Sequence, residues 1–162
     1  MNYLEKKTAI VTGASSGIGA ATARALAAQG VNVVAAALDE KGLAALVSEL
    51  RAAGFEASRF VTDVTDAERT RALAQFAKDT YGAVDILVNN AGLMLFSNWV
   101  DLVTQDWNRM IDVNIKGYLN TIAGALPFML EQKAGQILNM DSGYRLRPGP
   151  WRSVHRHNRA WR

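Results

Sequence analysis

The segment Ala9–Gly19, reading Ala-Ile-Val-Thr-Gly-Ala-Ser-Ser-Gly-Ile-Gly, runs a short apolar strand straight into a glycine-punctuated turn, and an alanine-rich helix follows at once. Each glycine has its own physical use. Gly13 permits the tight turn off the strand, Gly17 lets main chain come close to a pyrophosphate, and Gly19 allows the new helix to pack tightly. The helix N-terminus then faces the phosphates, where unpaired N–H groups and the helix dipole favour negative charge. A glycine triplet alone also fits an ordinary turn, but here strand, loop and helix come in the order that a dinucleotide site demands. Ala14, Ser15, Ser16 and Ile18 fill the remaining positions of that loop, the last three as candidate cofactor-binding residues.

The rest of the body repeats the switch of period. Thr8–Thr12, Val31–Ala37, Phe55–Thr62, Val84–Asn89 and Gln136–Met140 read as strands. Ile18–Gln29, Lys41–Ala53, Asp66–Tyr81 and Thr104–Leu130 read as helices, the last with Pro127 near its end. Gly30, Gly54, Gly82 and Gly135 each stand just after a helical stretch, where a left-handed cap is wanted. Short apolar strands separated by helices predict an α/β fold with a doubly wound parallel sheet and helices on both faces. Ligands of such sheets lie beyond the carboxyl ends of the strands. Thr12-Gly13, Asp63-Val64, Asn89-Asn90-Ala91-Gly92 and Asp141-Ser142 all fall there, with Asn114 inside the long helix.

Composition narrows the class. The 162 residues suit one domain, and 49% hydrophobic content is enough to fill a core. There is no cysteine, so a disulfide framework and a thiolate metal site are excluded, and no metal ligands are assigned. The polar N-terminus leads directly into the first strand, and no apolar run reaches membrane-spanning length. A soluble, cytoplasmic protein without membrane association is expected. The net charge of +3 is local, because six arginines and no acid lie between Gly143 and Arg162, leaving residues 1–142 at a formal −3. Clustered arginine and tryptophan in that tail can grip phosphates and bases, yet such runs are more often solvated, and nucleic acid is not an expected partner.

The strand-end residues together resemble the short-chain dehydrogenase/reductase family, in the form with a Thr-Gly-x-x-x-Gly-x-Gly motif. Thr12, Gly13, Gly17 and Gly19 match that motif in full, and the resemblance continues through Asp63, Asn89–Gly92, Trp107-Asn108 and Val113-Asn114, over about residues 6–142. It implies a Rossmann-type sheet lacking its C-terminal part, an NAD or NADP cofactor, and interconversion of a small alcohol and a carbonyl by hydride transfer. It implies that Asp63, with Val64, meets the adenine, that Asn90, Ala91 and Gly92 border the nicotinamide half, that Asn114 bends its helix and holds a relay water, and that Ser142 polarises the carbonyl. Two residue-level alternatives stand beside this: Asp63 as a cap for the helix near Asp66, and Asn114 as a solvated helix residue. Met94, Leu95, Phe96, Trp99 and Trp107 read as core or pocket wall.

Cofactor choice rests on the end of the second strand, where an acid selects NAD and an arginine NADP. Ala37-Leu38-Asp39 offers no arginine, and Ser16 stands where NADP enzymes of the family often carry a base. The lean is to NAD, with Asp39 either on the ribose or capping the next helix. Beyond Ser142 the pattern breaks. His155 stands at the family's tyrosine position and Arg159 at its lysine position. Arginine stays protonated and binds as a fork, so the pair is a poor substitute. Residues 143–162 read as a basic, irregular tail outside the family, similar to a GC-rich gene read out of frame. A frame shift recovers a tyrosine near position 155 but not the lysine. A chain ending there leaves an open sheet edge and bare apolar faces, so self-association is expected, and catalysis by this chain is in doubt beside a second reading as an inactive dinucleotide-binding fragment.

Overall fold

The structure, a computed structural model, describes residues 3–141. Five strands, β1 (Thr8–Thr12), β2 (Asn32–Ala37), β3 (Ala57–Val61), β4 (Ile86–Asn89) and β5 (Gln136–Asn139), form one parallel sheet in the order β3-β2-β1-β4-β5. The order reverses at β1, between β2 and β4, which opens a crevice above β1 at the carboxyl ends.

Both faces of β1, β2 and β4 are covered, while β5 at the sheet edge stays largely exposed, and alternation along each strand decides which residue meets which helix. Ala9, Val11, Val33, Ala35 and Val88 point to one side, where α1 (Gly17–Ala27) and α2 (Glu40–Ala52) bury Ala20, Ala23, Leu43, Leu46 and Leu50. Ile10, Val34, Ala36 and Leu87 point to the other, against Leu73 and Ala77 of α3 (Ala67–Tyr81) and Ala125 and Met129 of α5 (Gly117–Glu131). Strands buried on both faces are apolar throughout, which is why they read as uninterrupted runs. Each fully buried leucine contributes about 1.5–3 kcal/mol, so a charge at Leu43 or Leu73 would undo the layer it fills.

The expected elements all occur, with their ends moved by one or two residues at most turns. The long helix is the main correction. Thr104–Leu130 is three pieces: α4 (Thr104–Ile111), a π-helical turn (Asp112–Lys116) and α5, which continues through Pro127 to Glu131. A short 3-10 turn at Trp99–Asp101 had no sequence signal. Gly30, Gly54 and Gly82 take the left-handed conformation after their helices, but Gly135 does not; Lys133 does, at φ 53°. Gly135 is needed for space, since a Cβ there would lie 2.5 Å from Met129 Cγ. Phe96, Val100, Met94 and Trp99 are exposed, so none of them is core; Trp99 stacks instead near Trp107 with ring centroids 5.3 Å apart.

Candidate dinucleotide and carbonyl site

The glycine loop is held in place by its neighbours. Thr12 is buried at the end of β1; its Oγ1 donates to the Val88 carbonyl at 3.3 Å and accepts from the amides of Asn90 and Ala91, both at 3.0 Å. Asn90 Nδ2 donates back to the carbonyls of Thr12 at 3.0 Å and Gly13 at 3.2 Å. The Ala14 amide donates to the Ala36 carbonyl at 3.1 Å, fastening the loop to β2 as well.

The three glycines divide their work much as expected. Gly13 takes φ 63°, and a Cβ on it would meet Ala91 Cα at 2.9 Å. Gly19 takes an ordinary helical conformation, but a side chain there would overlap the Gly13 carbonyl and lie 2.5 Å from Asn90 Nδ2. Its close approach is to the loop and to Asn90 rather than to the sheet surface. Gly17, at φ 52°, is different, because a Cβ on it would point into open space. The bare main chain of Gly17 therefore borders room for a ligand, with Ser15 half-buried and Ser16 and Ile18 exposed around it.

Helix α1 begins there without any local neutralisation. Its N-cap Ser16 makes no side-chain cap bond, and its first turn holds no acid. By contrast Asp39 caps α2 by accepting from Gly42 N at 3.1 Å, with Glu40 behind it, and Asp66 caps α3 by accepting from Glu68 N and Arg69 N, with Glu68 behind it. The N–H groups and positive dipole end of α1 are thus left for an anion.

At the β2 end, Asp39 is the helix cap that the sequence offered as one of its two roles. Leu38 before it is 68% exposed. Arg59 of β3 lies 4.0 Å from Glu40, a basic neighbour that the β2 sequence could not reveal. At the β3 end, Asp63 does not cap α3, since Asp66 does. Asp63 Oδ1 accepts from the amide and hydroxyl of Thr65 at 2.9 and 2.7 Å, and the buried Val64 packs against Gly117.

The β4 end carries the other half. Asn89 is fully buried; its Oδ1 accepts from Thr121 Oγ1 at 2.6 Å and its Nδ2 donates to Asn139 Oδ1 at 2.9 Å, so it ties α5, β4 and β5 together. Asn114 sits in the π-helical turn and is not a solvated surface residue. Its Oδ1 accepts from the Leu93 amide and its Nδ2 donates to the Leu93 carbonyl, each at 2.7 Å. Gly92 lies beside it, where a Cβ would be 3.5 Å from Asn114 Oδ1. Tyr118 donates its hydroxyl to the Met140 carbonyl at 2.9 Å, and burial, followed by the charge of Asp141, pushes its pKa up. Ser142, His155 and Arg159 lie outside the described residues.

The loops thus converge on the crevice above β1, with bare glycine main chain and an uncompensated helix N-terminus at its centre. Among the described residues no helix is long and apolar enough to cross a membrane, and no cluster of metal-binding side chains occurs.

Comparison with known proteins agrees with this arrangement. The family model described as short chain dehydrogenase matches residues 7–155. An uncharacterised oxidoreductase of Staphylococcus saprophyticus is 47% identical over 145 residues, covering 88% of this chain and 61% of that protein. A short-chain dehydrogenase/reductase from Burkholderia phymatum, solved in complex with NAD, superposes with a TM-score of 0.84 at 37% identity, covering 88% of this chain and 51% of that one. Actinorhodin polyketide ketoreductase, solved with NADPH, gives a TM-score of 0.82 at 36% identity, covering 88% and 55%. The chain therefore spans about three-fifths of the length of the curated relatives it matches.

Proposed function

This chain belongs to the short-chain dehydrogenase family, and from that premise we propose that it serves an NAD-dependent interconversion of an alcohol and a carbonyl. The observation that carries the reading is the contrast between α1 and its neighbours: α1 alone of the first three helices presents an uncapped, acid-free N-terminus, and it does so beside the open space at Gly17. A pyrophosphate fits the charge and the bare main chain of that corner.

When bound there, a nicotinamide dinucleotide supplies or accepts the hydride. Thr12 and Asn90 hold the loop that receives the phosphates, Ile18 offers an apolar surface, and Asp63 and Val64 border the adenine end. Asn114 holds the Leu93 main chain beside the nicotinamide half. Its side chain uses one acceptor site and one N–H on its two bonds to Leu93, which fixes its orientation at that wall. Ser142 holds the carbonyl oxygen of the substrate. At the end of β2, Asp39 caps α2 through one oxygen and Glu40 faces Arg59 at 4.0 Å; two carboxylates against one guanidinium leave that corner net acidic, which favours ribose hydroxyls over a 2′-phosphate and so NAD over NADP.

A second reading is favoured by one specific feature, His155 and Arg159 at the positions where the family resemblance expects tyrosine and lysine. On it the chain binds dinucleotide without turnover. Titration with NADH and NADPH, followed by cofactor fluorescence, tests the shared part of both readings, with Gly17→Ala as the variant that blocks the site while the fold is kept. Tighter NADH binding that disappears in the variant supports the assignment, and no saturable binding overturns it. Hydride transfer assayed with small aldehydes and ketones then separates enzyme from binding fragment.

A further inference from the structure

We infer that Asn120 is a positioning residue for the adenine end of the dinucleotide site, acting from behind the Asp63–Thr65 loop; the inference rests on the dinucleotide reading above. Asn120 Nδ2 donates to the Val64 carbonyl at 3.0 Å and to the Thr65 carbonyl at 3.2 Å.

The peptide joining Val64 to Thr65 is planar, so its carbonyl and its N–H point in opposite directions. Its carbonyl is held by Asn120, and its N–H is held by Asp63 Oδ1 at 2.9 Å. One rigid plane thus links the Asn120 amide to the Asp63 carboxylate. Removing the amide frees the plane to rotate, and the carboxylate loses the main-chain one of its two donors, keeping only the Thr65 hydroxyl at 2.7 Å.

The support behind Asn120 is itself fixed. Thr70 Oγ1 of α3 donates to the Asn120 carbonyl at 3.2 Å, and Gly117, one turn earlier, leaves just enough room for the Val64 side chain, since a Cβ there would stand 2.6 Å from Val64 Cγ2. The same run of helix therefore braces both ends of the crevice, with Asn114 on Leu93 and Asn120 on Val64 and Thr65. Asn120 binds the main chain of the loop, and its effect passes through the loop.

The test uses the 162-residue chain, with ADP-ribose as a probe of the adenine half measured by calorimetric titration, and hydrogen exchange of the Thr65 amide. Asn120→Ala is expected to raise the ADP-ribose Kd roughly five- to tenfold, the worth of one lost hydrogen bond, and to speed Thr65 exchange. Met129→Ala opens a cavity in the core between α5 and the sheet, more than two turns along α5 from Asn120, so it is expected to lower the melting temperature while leaving ADP-ribose affinity at the wild-type value. Unchanged affinity in Asn120→Ala overturns the inference, as does an equal loss in Met129→Ala, which would make the effect one of general stability. A wild-type chain that binds no ADP-ribose fails at the earlier step and overturns the dinucleotide reading together with this one.

Discussion

Thr12 and Asn90 bind each other reciprocally across β1 and β4: the Thr12 hydroxyl accepts from the Asn90 amide at 3.0 Å, and the Asn90 side chain donates to the Thr12 carbonyl at 3.0 Å. The pair joins the phosphate loop to the loop after β4, so the two walls of the crevice form one unit. Thr12→Val keeps the shape and leaves the amides of Asn90 and Ala91 without their acceptor. We expect a loss of about 2–6 kcal/mol, on the order of 1–3 kcal/mol for each of the two stranded donors, toward the low end because Asn90 and Ala91 are half-buried, and weaker dinucleotide binding. Thr12→Ser restores the hydroxyl and is expected to recover most of the loss. Urea unfolding of the three proteins decides the matter, and equal midpoints for valine and wild type would sink it.

Gly17 and Gly19 are expected to fail in opposite ways. Gly17→Ala adds a Cβ into open space at φ 52°, so it costs only about 1–2 kcal/mol of left-handed strain while blocking the ligand. Gly19→Ala drives a Cβ into the Gly13 carbonyl and Asn90, so folding suffers first. Melting curves and NADH titration on both variants separate the two effects; a Gly17→Ala protein with undiminished affinity would show that the open space is not the phosphate site.

Asn114 reads as a clamp on main chain. With Asn114→Leu, both polar groups of Leu93 lose their partner, at about 1–3 kcal/mol for each that stays dry. Exchange of the Leu93 amide should quicken well beyond that of amides in β1. Equal protection in variant and wild type would assign the Leu93 bond no structural weight.

Alkaline stability follows from two raised pKa values. The hydrogen bond and charge of Asp85 raise Lys7, whose Nζ lies 2.9 Å from Asp85 Oδ1, and burial raises Tyr118. Both groups hold their protons more tightly in the folded chain than at the unfolded values of 10.5 and 10.0. Their contribution is therefore full below those values and is lost as pH rises through the folded ones. The Lys7 pair is partly solvated, so its share is small. Melting temperature is expected to fall above about pH 10, with a shallower fall in Tyr118→Phe, measured by differential scanning calorimetry across that range.

Ile111, Ile115, Leu119 and Leu130 are exposed along α4, the π-helical turn and α5. Bare apolar surface of this kind drives association. We expect oligomers in size-exclusion chromatography with light scattering, shifted toward monomer by Leu119→Glu with Leu130→Glu. A wild-type monomer that melts cooperatively would refute this.

What the sequence by itself determined was whatever local chemistry enforces. The β1 range, the glycine loop, the capping role offered as one of two for Asp39, and the doubly wound class all follow from short-range steric and hydrogen-bonding rules acting within a few residues, whereas the α3 cap falls to Asp66 and not to Asp63, which the sequence offers. Tertiary structure alone decided what the polar side chains bind, because their partners are remote in the chain. Thr12 meets Asn90, Asn89 meets Thr121 and Asn139, Asn114 meets Leu93, and Asn120 meets Val64. It also decided that the bend which the family resemblance set at Asn114 takes the form of a π-helical turn at Asp112–Lys116, held where Asn114 meets Leu93, and that Gly135 serves for the space beside Met129 rather than for a left-handed turn. A backbone group buried by folding must find a partner or cost free energy, and only the folded arrangement of strands and helices says which side chain is near enough to supply it.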